Sequence, residues 1–385
     1  MLSSLHKPYP LQNANDGHLK HLCQALWDWD LCEGCRTNKP CDSLKCPWRR
    51  SPRLQAFFDF YKELTSSYVP DLLVGSYPAL RSHDDVCDII RFLKTRQNTI
   101  RSELTEQYFS QRAKGAKLPP IPDQHRAFNI AVSIMSMVTC SAENQPSGLL
   151  ELGNQPLPWH DDTSFSGFIT GAFPRVDIGD LEVRGKSTDI KFAITARRLK
   201  KIAGLSFRGT DDLRNHLRLD VQSGVIEIYH HTSVLKEHLM ASQLRPESAA
   251  NIPNQICVEV IHSLQMILFP LGSDSELILR NLVSNNSFDP DCIRYDSAAY
   301  SGNICYSYFG SRLMELYEEV NNPTPRGFVE KWFERKSGAR YVMMATLVGV
   351  LIAIVLGILS LAIGIFQAWI AYQAWKHPVP LNNGG

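Results

Sequence analysis

Five of the ten cysteines fall between Cys23 and Cys46. Cys32-Glu33-Gly34-Cys35 is a C-x2-C knuckle, and Cys41 and Cys46 follow it after short gaps. Thiolates presented from tight turns suit a tetrahedral Zn²⁺ site, with Cys32, Cys35, Cys41 and Cys46 as the expected ligands. Four protein thiolates leave no open coordination position, so zinc held this way is structural rather than catalytic. His18, His21 and Cys23 lie just upstream, and the gap from Cys35 to Cys41 is short for a two-knuckle site. The competing reading is a set of reduced thiols in a loosely packed lead segment.

A second set of chemical groups is the histidine block: His216, His230, His231 and His238. These imidazoles could serve a metal ion or a general base, with Asp211, Asp212 or Asp220 as the acidic partner. Adjacent histidines at a strand end point to opposite faces, which argues against joint ligation by His230 and His231. They are expected to be packing or loop residues. Trp159-His160-Asp161-Asp162 reads as a loop whose polar groups cap the following segment. Gly185-Lys186-Ser187-Thr188 has the ending of a phosphate-binding loop. Its upstream glycine is one place off, and a strand rather than a helix is expected to follow, so a hairpin turn is the better reading.

The elements that must position these groups read as an α+β fold. Residues 1–50 form the cysteine-rich lead segment. Residues 51–145 read as a helical domain. Ser51-Pro52 opens a helix carrying the stripe Leu54, Phe57, Phe58, Tyr61 and Leu64. Ser82 opens a second, with Val86, Ile89, Ile90 and Leu93 inward. A third is expected over about 98–110. After the breaker from Lys117 to Pro122, Asp123 is expected to cap a helix through Met137. Residues 146–320 read as a mixed α+β domain. A β-like pattern is expected from Ser166 to Ile194, with Val176–Ile178 and Leu181–Val183 alternating and Lys191–Ile194 following, and another strand at Val225–Tyr229. A basic helix carries Arg197, Arg198, Lys200 and Lys201, and further helices are expected at Thr232–Met240, within Ile256–Leu268 and at Ser311–Val320.

Residues 321–340 form a basic linker, 341–375 a transmembrane helix with an aromatic end, and 376–385 a short tail. From Val342 to Phe366 there are 25 residues without a charge, reaching about 37 Å at the helical rise, enough for one tilted crossing. Trp369, Tyr372 and Trp375 follow as an interfacial belt. Lys331, Arg335, Lys336 and Arg340 precede the span, while only Lys376 lies just after it. The positive-inside rule therefore expects a single-pass, tail-anchored protein with its N-terminal part in the cytosol. The endoplasmic reticulum is favoured over the mitochondrial outer membrane. The stripe Ala345, Gly349, Ala353 and Gly357 suits self-association or another helical membrane partner. Met1–Pro10 lacks an apolar run and carries two prolines, unlike a signal peptide. The cysteines are accordingly expected in a reducing compartment.

Thr210–Asp220, Tyr229–Leu239, Ser337–Thr346 and Tyr372–Pro378 are similar to segments in a group of uncharacterised proteins from filamentous ascomycete fungi. The resemblance spans much of residues 190–378. It implies a fungal source and a C-terminal membrane anchor, and it carries over no catalytic residue because the group has no established activity.

Lys plus Arg total 40 against 39 Asp plus Glu, a balance that gives no reason to expect nucleic acid as a partner. The expected function is that of a membrane-tethered interaction or regulatory protein with a protein partner. The alternative is a membrane-associated enzyme acting on a lipid or secondary-metabolite substrate through the His216/His230/His231 region. A pocket joining one of those histidines to a carboxylate would favour the enzyme.

Overall fold

The computed structural model describes residues 10–37, 39–70, 77–113, 117–141, 156–176, 193–244, 251–295, 304–324 and 341–376. The chain divides into two compact units, Met1–Thr324 and Pro325–Gly385.

The first unit opens with α1 (Asp16–Trp27), started by an Asn15 capping box and stopped at Asp28 in the left-handed conformation. Then come the four-residue α2 (Glu33–Arg36), a 3₁₀ segment from Pro47 to Leu54, and α3 (Gln55–Ser66). The expected start at Ser51 thus lies inside a helical turn already running from Pro47. The stripe holds: Leu54, Phe57, Phe58 and Tyr61 are buried. α4 (His83–Lys94) begins where expected, with Ser82 and Asp85 forming a capping box, and buries Val86, Ile89, Ile90 and Leu93. α5 (Arg101–Ala113) starts about one turn later than its sequence suggests.

α6 (Ile121–Ser136) corrects one expectation. Pro120 is its N-cap. Asp123 faces the core instead, where its carboxylate accepts hydrogen bonds from the Tyr68 hydroxyl at 2.9 Å and the Ala79 amide at 2.7 Å. A buried carboxylate is tolerated when its lone pairs are satisfied in this way.

A minimal parallel pair joins β1 (Cys140–Ser141) to β2 (Leu157–Pro158). After α7 (Phe165–Ala172) and the basic α8 (Ala196–Ile202) comes the main sheet. Its order is β3 (Ser206–Thr210), β5 (Val225–Tyr229), β4 (Arg218–Asp220), with β3 parallel and β4 antiparallel to the central strand. Asp220 Oδ1 accepts from the Gln222 and Ser223 amides, and Gly224 adopts φ +68°, which closes the hairpin between β4 and β5. Four helices complete the unit: α9 (Thr232–Leu244), α10 (Asn254–His262), α11 (Asp274–Ser284) and α12 (Gly310–Asn321). α10 continues into a π-helical turn over Ser263–Leu268. α1 packs on α4, α4 on α6, and α9 on α10.

The β-like reading fails at its start, where Phe165–Ala172 is helix α7, opened by the Ser164 side chain accepting from the Gly167 amide, and Ala193 and Ile194 are buried but not in a strand. The strands expected between Asp177 and Phe192, the phosphate-loop-like Gly185–Thr188, the basic linker and the tail from His377 lie outside the described residues.

The second unit contains α13 (Tyr341–Lys376), 36 residues in one unbroken helix. Its stretch Leu347–Gln373 is long and apolar enough to cross a membrane, and none of it is buried within the protein.

Candidate functional site

The cysteine knuckle is built from two turn ends. Cys32 precedes α2 and Cys35 lies within it, while Cys46 precedes the 3₁₀ segment. The loop between them folds back so that the Lys39 amide donates to the Gly34 carbonyl at 2.7 Å. Gly34 permits this return, since a Cβ there would stand 2.5 Å from the Pro40 carbonyl oxygen.

Cys32 Sγ lies 3.8 Å from Cys41 Sγ, Cys35 Sγ lies 3.8 Å from Cys46 Sγ, and all four sulfurs fall within 4.8 Å of one another. Four sulfurs at tetrahedral bonds of about 2.3 Å around one ion sit about 3.8 Å apart, so the donor set has the size and shape for a metal centre. Cys35 and Cys46 are buried, and Cys32 and Cys41 half-buried. Burial first, then hydrogen bonding among the thiols, pushes Cys35 well above its ordinary value. Such a cluster ionises fully only around a cation, which deprotonates the thiols that bind it.

The upstream candidates are engaged elsewhere. His18 completes the capping box of α1, His21 Nδ1 sits 2.8 Å from Asp84 Oδ1, and Cys23 is in the core. The lead segment is not loosely packed. Arg50 donates through Nε and Nη2 to the two carboxylate oxygens of Glu237 on α9, at 2.6 and 2.8 Å. Trp29 Nε1 donates to the same carboxylate at 3.1 Å, and the Arg50 guanidinium lies 5.3 Å from the Trp29 ring centroid.

The histidine block differs from its expected arrangement. His230 and His231 share a face, with ring centroids 4.2 Å apart. Both reach Asp211 Oδ1, His231 Nε2 at 2.7 Å and His230 Nε2 at 3.3 Å. β5 ends at Tyr229 and α9 begins at Thr232, so the two histidines occupy a turn where strand alternation no longer applies. The Asp289 amide donates to His230 Nδ1 at 3.1 Å. A neutral His230 accepting there carries its proton on Nε2, so that nitrogen has no lone pair for a metal ion. His231 Nδ1 is buried without a partner. Gly209 allows the close approach, because a Cβ would stand 2.4 Å from the Ser287 carbonyl oxygen and 2.9 Å from His230 Cδ2.

His216 is a satisfied core residue. Its Nδ1 accepts from the Tyr229 amide at 3.3 Å, and its Nε2 lies 2.8 Å from Ser263 Oγ. His238 meets the Trp27 ring edge-on within the core. Asp212 is bound by the Arg214 side chain and Asp220 by its own turn. Trp159 is fully buried under Arg101, whose guanidinium donates to the Trp159 carbonyl at 2.5 Å. Sequence reasoning missed Arg50, Glu237 and Asp289 as partners. Only Gly34, sitting inside the knuckle, carried a readable signal.

No protein family, curated protein or solved structure matches this chain.

Proposed function

We propose that the chain is a membrane-tethered interaction or regulatory protein whose N-terminal unit faces the cytosol and is stabilised by a structural Zn²⁺ at Cys32, Cys35, Cys41 and Cys46. The observation that carries the reading is the engagement of the histidines. Both nitrogens of His230 are hydrogen-bonded, both nitrogens of His216 are occupied, and the remaining nitrogen of His231 is sealed in the core. A histidine acting as general base needs an accessible lone pair within reach of substrate, and His216, His230 and His231 offer none. The Asp211–His230–His231 group instead ties the end of β3 to the start of α9 and to the Ser287–Asp289 loop.

The apolar α13 supports membrane anchoring, and the basic residues before it support a cytosolic N-terminal unit. The endoplasmic reticulum is the favoured membrane. Ala345, Gly349, Ala353 and Gly357 offer a small-residue stripe for pairing with a second copy or another membrane helix. The experiment is chemical cross-linking of the intact chain in its native membrane. Discrete cross-linked species heavier than one chain are expected. Recovery only at the mass of a single chain, with efficient cross-linking of a known membrane complex as control, would contradict an interaction role.

A further inference from the structure

A cavity of about 310 Å³ lies away from the cysteine cluster, with walls that include Tyr77, Arg81, Phe109, Arg112, Lys117 and Pro119. Three of these side chains are cationic, and no lining residue is acidic. Carboxylates stand close to two of them. Asp85 lies behind the wall, 5% exposed, 3.6 Å from Arg81 Nε and hydrogen-bonded to Arg112. Asp88 is shared between Arg91 and Arg112. Asp123 also stands close, accepting from the amide of the lining residue Ala79, so the exposed cations of the wall are Arg81 and Lys117. The terminal nitrogens of Arg81 and the Lys117 ammonium have no hydrogen-bond partner among the described residues.

Two helix starts border the cavity. Arg81 comes directly before Ser82, the N-cap of α4, and Pro119 directly before Pro120, the N-cap of α6. Both helix starts adjoin the cavity, with Asp84 and Asp85 in the first turn of α4 and Asp123 in the first turn of α6. Phe109, Tyr77 and Pro119 supply apolar wall. The volume is at the lower end for small-molecule sites.

We propose that this cavity binds a phosphomonoester, its phosphate held by Arg81 and Lys117 beside Arg112, and its organic body lying against Phe109 and Tyr77. Arg81 and Lys117 are the exposed cations of the wall, and a guanidinium beside an ammonium is a donor set suited to phosphate oxygens. The phosphate can come from a soluble metabolite or from a lipid headgroup, and both are within reach of a chain that carries a membrane span.

The test uses the full chain in phosphatidylcholine nanodiscs. One arm adds phenyl phosphate against sodium chloride at equal ionic strength. The other compares nanodiscs with and without phosphatidylinositol phosphate. The readout is hydrogen exchange at residues 77–81 and 117–120, with melting temperature alongside. Protection in the first arm assigns a soluble ligand, and protection in the second a headgroup. Arg81→Glu and Lys117→Glu should each weaken the response about tenfold or more, the loss of one charge-assisted contact. If either variant melts early, Arg81→Gln and Lys117→Gln replace them. No protection in either arm, or protection unchanged in all variants, would overturn the proposal.

Discussion

Arg50 and Glu237 are 187 residues apart and form a two-pronged ion pair at 2.6 and 2.8 Å. Arg50 follows Cys46 by four residues, and Glu237 sits mid-way along α9 with 5% of its side chain exposed. The pair fastens the cysteine knuckle to the central helix of the N-terminal unit. Arg50→Ala leaves a buried carboxylate with only the Trp29 indole as donor. We expect a loss of about 3 kcal/mol in unfolding free energy, as for removal of one member of a buried pair. Denaturant titration followed by tryptophan fluorescence reads this directly. A change within about 0.5 kcal/mol, the usual scatter of surface substitutions, would show that the pair does not hold the knuckle.

The four-cysteine cluster makes predictions for substitutions both at its thiols and beside them. Purified full chain should carry about one zinc per molecule on a four-thiolate site. Cys32→Ser with Cys35→Ser should remove it. Gly34→Ala should also lower zinc content, because its Cβ would collide with the Pro40 carbonyl. Gly171→Ala is the control: it lies in α7 with nothing within 4 Å of a new Cβ, so zinc content should be unchanged. Metal-free wild-type protein prepared without chelators would refute the assignment.

Buried histidines set a pH dependence. Burial pushes His83 and His231 down to about 4, His238 down to about 3, and His216 well below its ordinary value. These rings stay neutral in the folded protein, whereas unfolded histidine takes a proton near 6.5. Between about 6.5 and 4 the unfolded chain therefore binds more protons, and stability falls as pH falls, by up to about 1.4 kcal/mol per pH unit for each histidine. Asp289, raised to about 6 by burial, acts in the opposite sense, as do Glu259 and Glu315, also raised by burial, three carboxyls against four imidazoles. The denaturation midpoint should be clearly lower at pH 5 than at pH 7.5. Equal midpoints would mean that these rings are not buried neutral.

Much of the helical scaffold was legible because its signals are local. The capping box at Ser82 and the stripes on α3 and α4 depend on neighbours three or four residues away. The grouping of Cys32, Cys35, Cys41 and Cys46 was legible from their spacing. The histidine arrangement was not, because it depends on where β5 ends and on Asp211 and Asp289 arriving from other segments. Asp123 misled for a related reason. Its position after the Pro119–Pro120 breaker has the form of a cap, while its real partners, Tyr68 and Ala79, are 55 and 44 residues away.

Orientation is open to a glycosylation test. Asn285-Asn286-Ser287 is an acceptor sequence exposed at the end of α11. With the N-terminal unit in the cytosol, Asn285 stays bare when the chain is expressed in a glycosylating cell. An acceptor site placed near Asn382, on a lengthened tail, should be modified if the tail enters the endoplasmic reticulum. Glycan on Asn285 would reverse the orientation and reopen disulfide bonding for the cysteines from Cys23 to Cys46.

The tether itself is tested most directly by alkaline carbonate extraction of membranes followed by high-speed centrifugation. α13 offers 27 exposed apolar-rich residues from Leu347 to Gln373, while the buried apolar residues among the described part of the first unit form its core. The intact chain should remain in the pellet and require detergent for release, while a chain ending at Thr324 should move to the supernatant. Intact protein in the supernatant would contradict the membrane span and, with it, the function proposed for the chain.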